Sequence, residues 1–108
     1  MAEGTELVLV MTTFPDTGKA GEAARILLAH KLAACCTIIP GNSIYTWQGK
    51  TCEEAEAVML IKTRASLYAE LENKIKEIHP YQVPEIISLP AVAVYQAYSE
   101  WVREVTGE

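Results

Sequence analysis

Two short segments without a polar side chain place the strongest constraint on how this chain folds. They are Leu7–Met11 and Val58–Ile61. Successive side chains of a strand point to opposite faces of its sheet, so an unbroken apolar run predicts a strand that is buried on both faces. A fold that contains both segments must therefore cover two faces of one sheet.

Three other segments show helical periodicity. A first helix is predicted after a cap at Asp16 or Thr17, with apolar residues recurring on one face. A second helix is predicted from a cap at Ser66, with an apolar stripe that begins at Leu67. It should end at His79, because the residue before a proline is disfavoured in helices. The spacing near the end of the chain predicts a last short helix that contains Tyr98, Trp101, Val102 and Val105.

The remaining patterned segments are typical of strands. Besides the first, they cover residues 33–39, 43–48, 54–63 and 85–89. Pro40-Gly41 is predicted to stop the second strand, and Gly49-Lys50 is predicted to turn the next two into a long hairpin. The order is β-α-β-β-β-α-β-α in one domain, 1–108. It predicts an α+β class, a ferredoxin-like split β-α-β fold with an extended β-hairpin and a short C-terminal helix.

This topology predicts a second sheet face that the two main helices do not cover. Both helices of a split β-α-β fold lie on one face, yet the two apolar runs need cover on both. A symmetric oligomer that packs sheet against sheet is the favoured solution. The alternative is that the last helix folds over the open face.

Charge and cysteine content exclude several classes of partner. Nine basic and fourteen acidic residues give a net charge of −5, which argues against binding to nucleic acid and to an anionic membrane surface. Met1–Glu6 has neither the basic start nor the apolar core of a signal peptide. Three cysteines without a CxxC pair favour reduced thiols. We therefore predict a cytoplasmic protein.

Two kinds of residue are candidate metal ligands. His79, followed by Pro80 and Tyr81, has the chemistry of a metal ligand or a general acid–base, but it also suits a helix end where a cationic histidine stabilises the macrodipole. Cys35 and Cys36 are either small core residues or soft thiolate ligands for copper or zinc. The residues alone leave these alternatives open.

A ligand-binding surface is suggested by aromatic and basic residues on strands. Tyr45 and Trp47 alternate on one side of their strand, where they would stack on a ligand or pack against a neighbouring subunit. Lys62 and Arg64 lie at a strand end, where they would attract an anion. The sequence contains no dinucleotide, P-loop, zinc-protease or esterase motif and no evident nucleophile–base pair. We therefore predict no enzymatic activity.

Five groups of residues together resemble one known family. They are Lys31–Cys35, Ile38–Gly41, Ser43–Tyr45 with Trp47–Lys50, Ile61–Thr63, and His79–Tyr81 with Val83–Ile86. In order and spacing they are similar to the CutA family of divalent-cation tolerance proteins, from about Leu7 to Val102. The resemblance implies a ferredoxin-like subunit in a homotrimer, with long hairpins that extend onto neighbouring subunits.

The resemblance also implies a link to copper and other divalent cations, and no organic cofactor. Some bacterial members ligate copper through a Cys at the end of the first strand and a His-His pair before the Pro-Tyr. Here those positions hold Thr12, Ile78 and His79, so His79 alone carries over and only weak metal binding is expected. Cys35 matches the family's Leu-Ala-Ala-Cys segment and is the second candidate ligand.

Two other functions remain alternatives. Trimeric ferredoxin-like proteins of the PII type sense nucleotides or metabolites in clefts between subunits, and Tyr45, Trp47, Lys62 and Tyr81 are the candidates to line such a cleft. The other alternative is a structural scaffold for a protein partner. The chain also departs from the family at Ala91–Tyr95, where we expect the last strand to run on or the last helix to start early.

Overall fold

The computed structural model describes residues 6–108. Its elements are β1 (Leu7–Phe14), α1 (Thr17–Ala29), β2 (Cys35–Trp47), β3 (Lys50–Arg64), a 3-10 turn (Ala65–Leu67), α2 (Tyr68–Ile78), β4 (Ile86–Pro90) and α3 (Gln96–Val105). Within this range no helix is long and apolar enough to cross a membrane. The predictions of a domain over 1–108 and of no signal peptide in Met1–Glu6 extend over residues 1–5, which lie outside the described residues.

The four strands form one antiparallel sheet in the order β2-β3-β1-β4. Both β1 and β2 run antiparallel to β3, so they are parallel to each other with β3 between them. This is the split β-α-β topology, and the predicted α+β class is confirmed. In the middle of the sheet Thr12 pairs with Met59 on one side and with Ile86 on the other.

The core lies between one sheet face and the helices α1 and α2. Val10 and Phe14 of β1 and Met59 and Ile61 of β3 point to this face and are at most 1% exposed. They pack in one cluster with buried residues of the helices, among them Leu27, Leu71 and Ile75. Burying each such side chain contributes about 1.5–3 kcal/mol. The helix stripes predicted from the sequence form most of this core, but Leu28, which the periodicity places in the stripe of α1, is 43% exposed.

Pro40-Gly41 does not end a strand, so the prediction of two separate strands at 33–39 and 43–48 is wrong. β2 runs without a break from Cys35 to Trp47, with Pro40 opposite Ala57. Because β2 is an edge strand, a proline that lacks an N–H costs the ladder no hydrogen bond on the solvent side. The hairpin turns at Gln48 and Gly49, whose φ angles of 51° and 77° fit the left-handed turns that match strand twist.

Two further predictions about element ends need correction. Ser66 does not cap α2, which starts after a 3-10 turn and has no side-chain cap. Asp16 does cap α1, since its carboxylate accepts from the Lys19 N–H at 2.7 Å.

The prediction that the last strand runs on, or that the last helix starts early, over Ala91–Tyr95 is wrong. Residues 91–95 form neither strand nor helix. β4 ends there because its partner β1 begins at Leu7, whose carbonyl accepts from the Ala91 N–H at 3.1 Å.

The second sheet face is covered at one end and open elsewhere in the single chain. Val102 of α3 packs against Leu7 and Ala34, so the last helix covers that end. Further along, Leu9, Met11 and Leu60 are half-buried, and Ile39, Ile87 and Leu89 are 45%, 44% and 46% exposed. We call these six residues the open sheet face. The two apolar runs, Leu7–Met11 and Val58–Ile61, are predicted to be buried on both faces of the sheet. Within one chain their burial on the second face is incomplete.

Candidate functional site

A cavity of about 460 Å³ lies where the β2–β3 hairpin meets the loop after α2. This volume falls within the range of small-molecule pockets. Its walls come from β1, β2, β3 and the loop, and consist of Thr13, Ser43, Tyr45, Trp47, Glu54, Glu56, Pro80, Tyr81, Gln82, Val83 and Glu85. We call it the hairpin cavity.

Strand register brings the aromatic and acidic side chains of the hairpin cavity together. Ser43 of β2 pairs with Glu54 of β3, and the period of two then places Tyr45 and Glu56 on the same sheet face. The Tyr45 hydroxyl donates to Glu54 Oε1 at 2.9 Å. From the loop, the Tyr81 hydroxyl donates to Glu56 Oε2 at 2.6 Å. Each phenol therefore fixes one carboxylate in the cavity wall.

The hairpin cavity is acidic. Three carboxylates line it, those of Glu54, Glu56 and Glu85, and no lysine, arginine or histidine is among the described residues of its wall. The hydrogen bond to Glu54 raises the pKa of Tyr45. Burial, followed by the hydrogen bond to Glu56, raises the pKa of Tyr81. Both phenols therefore stay protonated near neutral pH, and the charge of the wall favours a cation.

His79 is held at both ring nitrogens by backbone groups. Its Nδ1 accepts from the Tyr81 N–H at 3.0 Å, and its Nε2 lies 2.7 Å from the Thr13 carbonyl oxygen, to which it donates. The ring stacks on Phe14 with centroids 4.3 Å apart. Burial lowers the pKa of His79, against the raising effects of the Thr13 carbonyl and Glu56. The ring is therefore neutral, with its proton on Nε2.

This arrangement does not fit a preformed copper site at His79. A neutral imidazole ligates through the nitrogen without a proton, and here that nitrogen already accepts from the Tyr81 N–H. Cys35 is also distant, because it pairs with Lys62 whereas Thr13 pairs with Val58. Four residues of β3 correspond to about 13 Å. Within residues 6–108, no three His, Cys, Asp or Glu side chains form a group that could hold a metal ion.

The two adjacent cysteines point to opposite faces of the sheet. The Lys62 ammonium lies 3.8 Å from Cys35 Sγ and also donates to Thr37 Oγ1 on the second face. Cys36 packs against the core cluster, and burial raises its thiol pKa to about 11. Cys36 therefore remains protonated against the core, and Cys35 lies on the second face beside Lys62.

Thr12 and Ile78, the two other positions that the resemblance compares with copper ligands, pack in the core here. Thr12 is fully buried, and its hydroxyl is the one buried side-chain polar atom of the described chain without a hydrogen-bond partner. Ile78 packs against the core cluster. Neither side chain is a soft ligand, so neither completes a copper site with His79. The assignment of His79 and Cys35 as metal ligands stays a prediction.

Three of the four predicted cleft residues share one cavity. Tyr45, Trp47 and Tyr81 line it, whereas Lys62 does not. Lys62 lies six residues along β3 from Glu56, which corresponds to about 20 Å. The three carboxylates of the wall are not among the predicted cleft residues. Glu54 and Glu56 are spaced by two along β3 and lie on the face that carries Tyr45 and Trp47, and this spacing is the sequence signal for them.

Comparison with known proteins places this geometry in a family. Residues 8–105 match the family model described as CutA1 divalent ion tolerance protein. The divalent-cation tolerance protein CutA of Thermus thermophilus is 41% identical over 100 residues, 92% of this chain and 97% of that protein. The CutA of Pyrococcus horikoshii is 39% identical over 93% of this chain and 98% of that protein.

A solved structure agrees over nearly the full length. The crystal structure of CutA1 from the psychrotrophic bacterium Shewanella sp. SIB1 superposes with a TM-score of 0.92 at 34% identity, and covers 98% of this chain and all of that one. The strand order, the long hairpin and the family match are thus consistent with one another. This chain belongs to the CutA1 divalent ion tolerance family.

Proposed function

We propose that this chain is a non-catalytic divalent-cation tolerance protein that acts in the cytoplasm as a homotrimer and holds copper or another divalent cation weakly. The observation that carries the proposal is the state of His79, whose two ring nitrogens are both engaged by backbone groups. A metal ion at this ring must first displace the Tyr81 N–H from Nδ1. That competition reduces affinity, because the part-buried Tyr81 N–H would lose its partner.

The same contacts support a non-catalytic role. His79 is bonded to backbone atoms of Thr13 and Tyr81, so its general-base nitrogen activates no side-chain nucleophile. The carboxylates of Glu54 and Glu56 accept from phenols whose raised pKa values keep them protonated. These groups hold the cavity wall in shape and are poor nucleophiles.

The open sheet face supports a trimer. Its six apolar residues lie on one face of all four strands of the sheet and are half-buried or exposed in one chain. Contiguous apolar surface of this kind is typical of protein interfaces. A second and a third copy of the chain would cover it symmetrically.

Calorimetric titration with Cu(II), and with redox-inert Zn(II), tests the metal part. We expect a dissociation constant on the order of 1 mM, equivalent to about −4 kcal/mol, and a smaller heat for His79→Ala and for Cys35→Ser. His30→Gln is the control, because His30 is an exposed histidine. Micromolar affinity would contradict weak binding, and no heat at roughly 10 mM metal would contradict binding at all.

A second candidate function is small-molecule sensing, and the hairpin cavity favours it. Tyr45, Trp47 and Tyr81, all predicted from the sequence as cleft residues, line one cavity of ligand size. A thermal-shift screen that includes cationic, neutral and anionic compounds tests it, because a ligand that binds the folded state raises Tm. If no class of compound raises Tm, the sensor function is wrong.

A further inference from the structure

We propose that the hairpin cavity binds an organic ammonium cation, with Tyr45 and Trp47 as its ring surfaces and Glu54 and Glu56 as its counter-charges. This inference rests on the proposed sensor function and names the class of ligand. It separates the cavity from the divalent metal to which the family name refers.

The size of the cavity favours an organic molecule over a bare ion. A volume of about 460 Å³ is typical of sites that enclose small organic ligands. A metal ion needs several ligand atoms within about 2.0–2.6 Å, and no such group of His, Cys, Asp or Glu side chains occurs in residues 6–108. The described part of the chain thus offers no close ligand set for a divalent ion, and the volume of the cavity suits a larger cation.

The charge of the cavity selects the sign of the ligand. Glu54, Glu56 and Glu85 line it without a basic neighbour in the described wall. The phenols of Tyr45 and Tyr81 each satisfy one oxygen of Glu54 and Glu56. Each of these carboxylates has further lone pairs that can accept from a ligand. The same negative charges add to the raised pKa of Tyr81. A phosphate or carboxylate ligand would be repelled.

The aromatic residues supply the second recognition element. Tyr45 and Trp47 line the cavity and are 38% and 46% exposed within one chain, so the single chain does not bury their rings. Cations bind over the faces of Trp and Tyr rings, and this attraction strengthens when the site excludes water. Aromatic rings next to carboxylates are the combination that recognises an ammonium group with an apolar shell.

NMR of the tryptophan indole N–H signals tests the inference directly. Tetramethylammonium is the probe, and tert-butanol is its neutral counterpart of similar shape. We expect saturable shifts of the Trp47 signal and an affinity at least about tenfold higher for the cation, or 1.4 kcal/mol. Trp101 is the internal control, because it lies on α3 next to Tyr98, with ring centroids 5.6 Å apart, and does not line the cavity.

Neighbouring residues on one strand provide matched variants. Glu56→Gln should weaken tetramethylammonium binding about fivefold or more, the size of an exposed cation–π contact or a weak ion pair. Glu53→Gln removes the same charge from an exposed residue on the opposite face of β3 and should change affinity less than twofold. Trp47→Leu should lower the affinity for tetramethylammonium about two- to fivefold, measured by calorimetry. The same variant should leave the affinity for Zn(II) unchanged.

The outcomes separate this inference from the sensor function. Equal affinity for tert-butanol, equal effects of Glu56→Gln and Glu53→Gln, or no shift of Trp47 would each overturn the ammonium assignment. If ATP binds the cavity and tetramethylammonium does not, the sensor function holds and the ligand class is wrong. If cationic, neutral and anionic compounds all fail to shift Trp47, both proposals fail.

Discussion

The two faces of the sheet differ in how far one chain completes them. On the helix face, Val10, Met59 and Ile61 are fully buried among residues of α1 and α2. On the other face, α3 covers the end near Leu7, and Ile87 and Leu89 remain almost half exposed. The first face therefore supplies the stability of the subunit, whereas the second is available for contacts with other molecules.

Function follows the same division. Cys36, Thr12 and Ile78 all pack on the helix side of the sheet. Each is a position that the sequence, or its resemblance to the family, associates with a metal ligand, and each contributes to packing instead. The hairpin cavity and the Cys35–Lys62 pair both lie on the second face. Residues that are adjacent in sequence thus have different tasks, because successive strand positions point to opposite faces.

Substituting adjacent residues of β3 tests this division most strongly. Ile61→Ala should cost about 2–5 kcal/mol, since it opens a cavity in a closed core. Leu60→Ala, on the open sheet face, should cost less than about 2 kcal/mol at a protein concentration low enough for the subunits to be dissociated. The measurement is urea denaturation of both variants at equal protein concentration. Equal costs would show that the two faces are packed alike.

A charge on the open sheet face should disrupt self-association. Leu89→Glu places a carboxylate where an apolar contact between subunits is proposed, and an unpaired buried charge is strongly unfavourable. Light scattering should give a mass near three times 11.9 kDa for the wild type and a lower mass for the variant. Leu28→Glu is the control, because Leu28 is 43% exposed on α1. If both variants stay trimeric, the interface lies elsewhere.

The sequence predicts the helix face better than the second face. Periodicity alone locates the core stripes of α1 and α2, because burial there depends on local spacing. Continuity of β2 through Pro40 was missed, since it depends on the strand being at the sheet edge. The hairpin cavity was only partly predicted. Tyr81 and Glu56 are 25 residues apart and meet only in the folded chain.

Removing one phenol should have a moderate effect on the hairpin cavity. Tyr81→Phe deletes the hydroxyl that donates to Glu56 at 2.6 Å, and a hydrogen bond of this kind contributes about 1 kcal/mol. Urea denaturation should show a loss of that size. Tyr95→Phe is the control, because Tyr95 is 79% exposed. Equal stability of wild type and Tyr81→Phe would mean that this bond is not a support of the wall.

The smallest expected effect is the pH dependence that His79 adds to stability. Its folded-state pKa lies below the ordinary 6.5 because burial opposes the charged form. The unfolded chain therefore binds more protons just below pH 6.5, so stability is full above that pH and falls as the pH drops toward the folded pKa. Protonation of Nδ1 would also end its bond with the Tyr81 N–H. Acid should thus loosen the loop that closes the hairpin cavity.

Urea denaturation of the wild type and His79→Gln between pH 7.5 and 5.5 measures this term. The free energy of unfolding of the wild type should fall more than that of the variant over this range. Above pH 7 the two free energies should depend on pH equally, although their values still differ. His30→Gln reports the contribution of the other histidine, an exposed residue at the C-cap of α1. A wild type that gains stability on acidification, or an equal slope in His79→Gln, would show that the ring is not held neutral by Thr13 and Tyr81. The cavity loop would then be independent of this histidine.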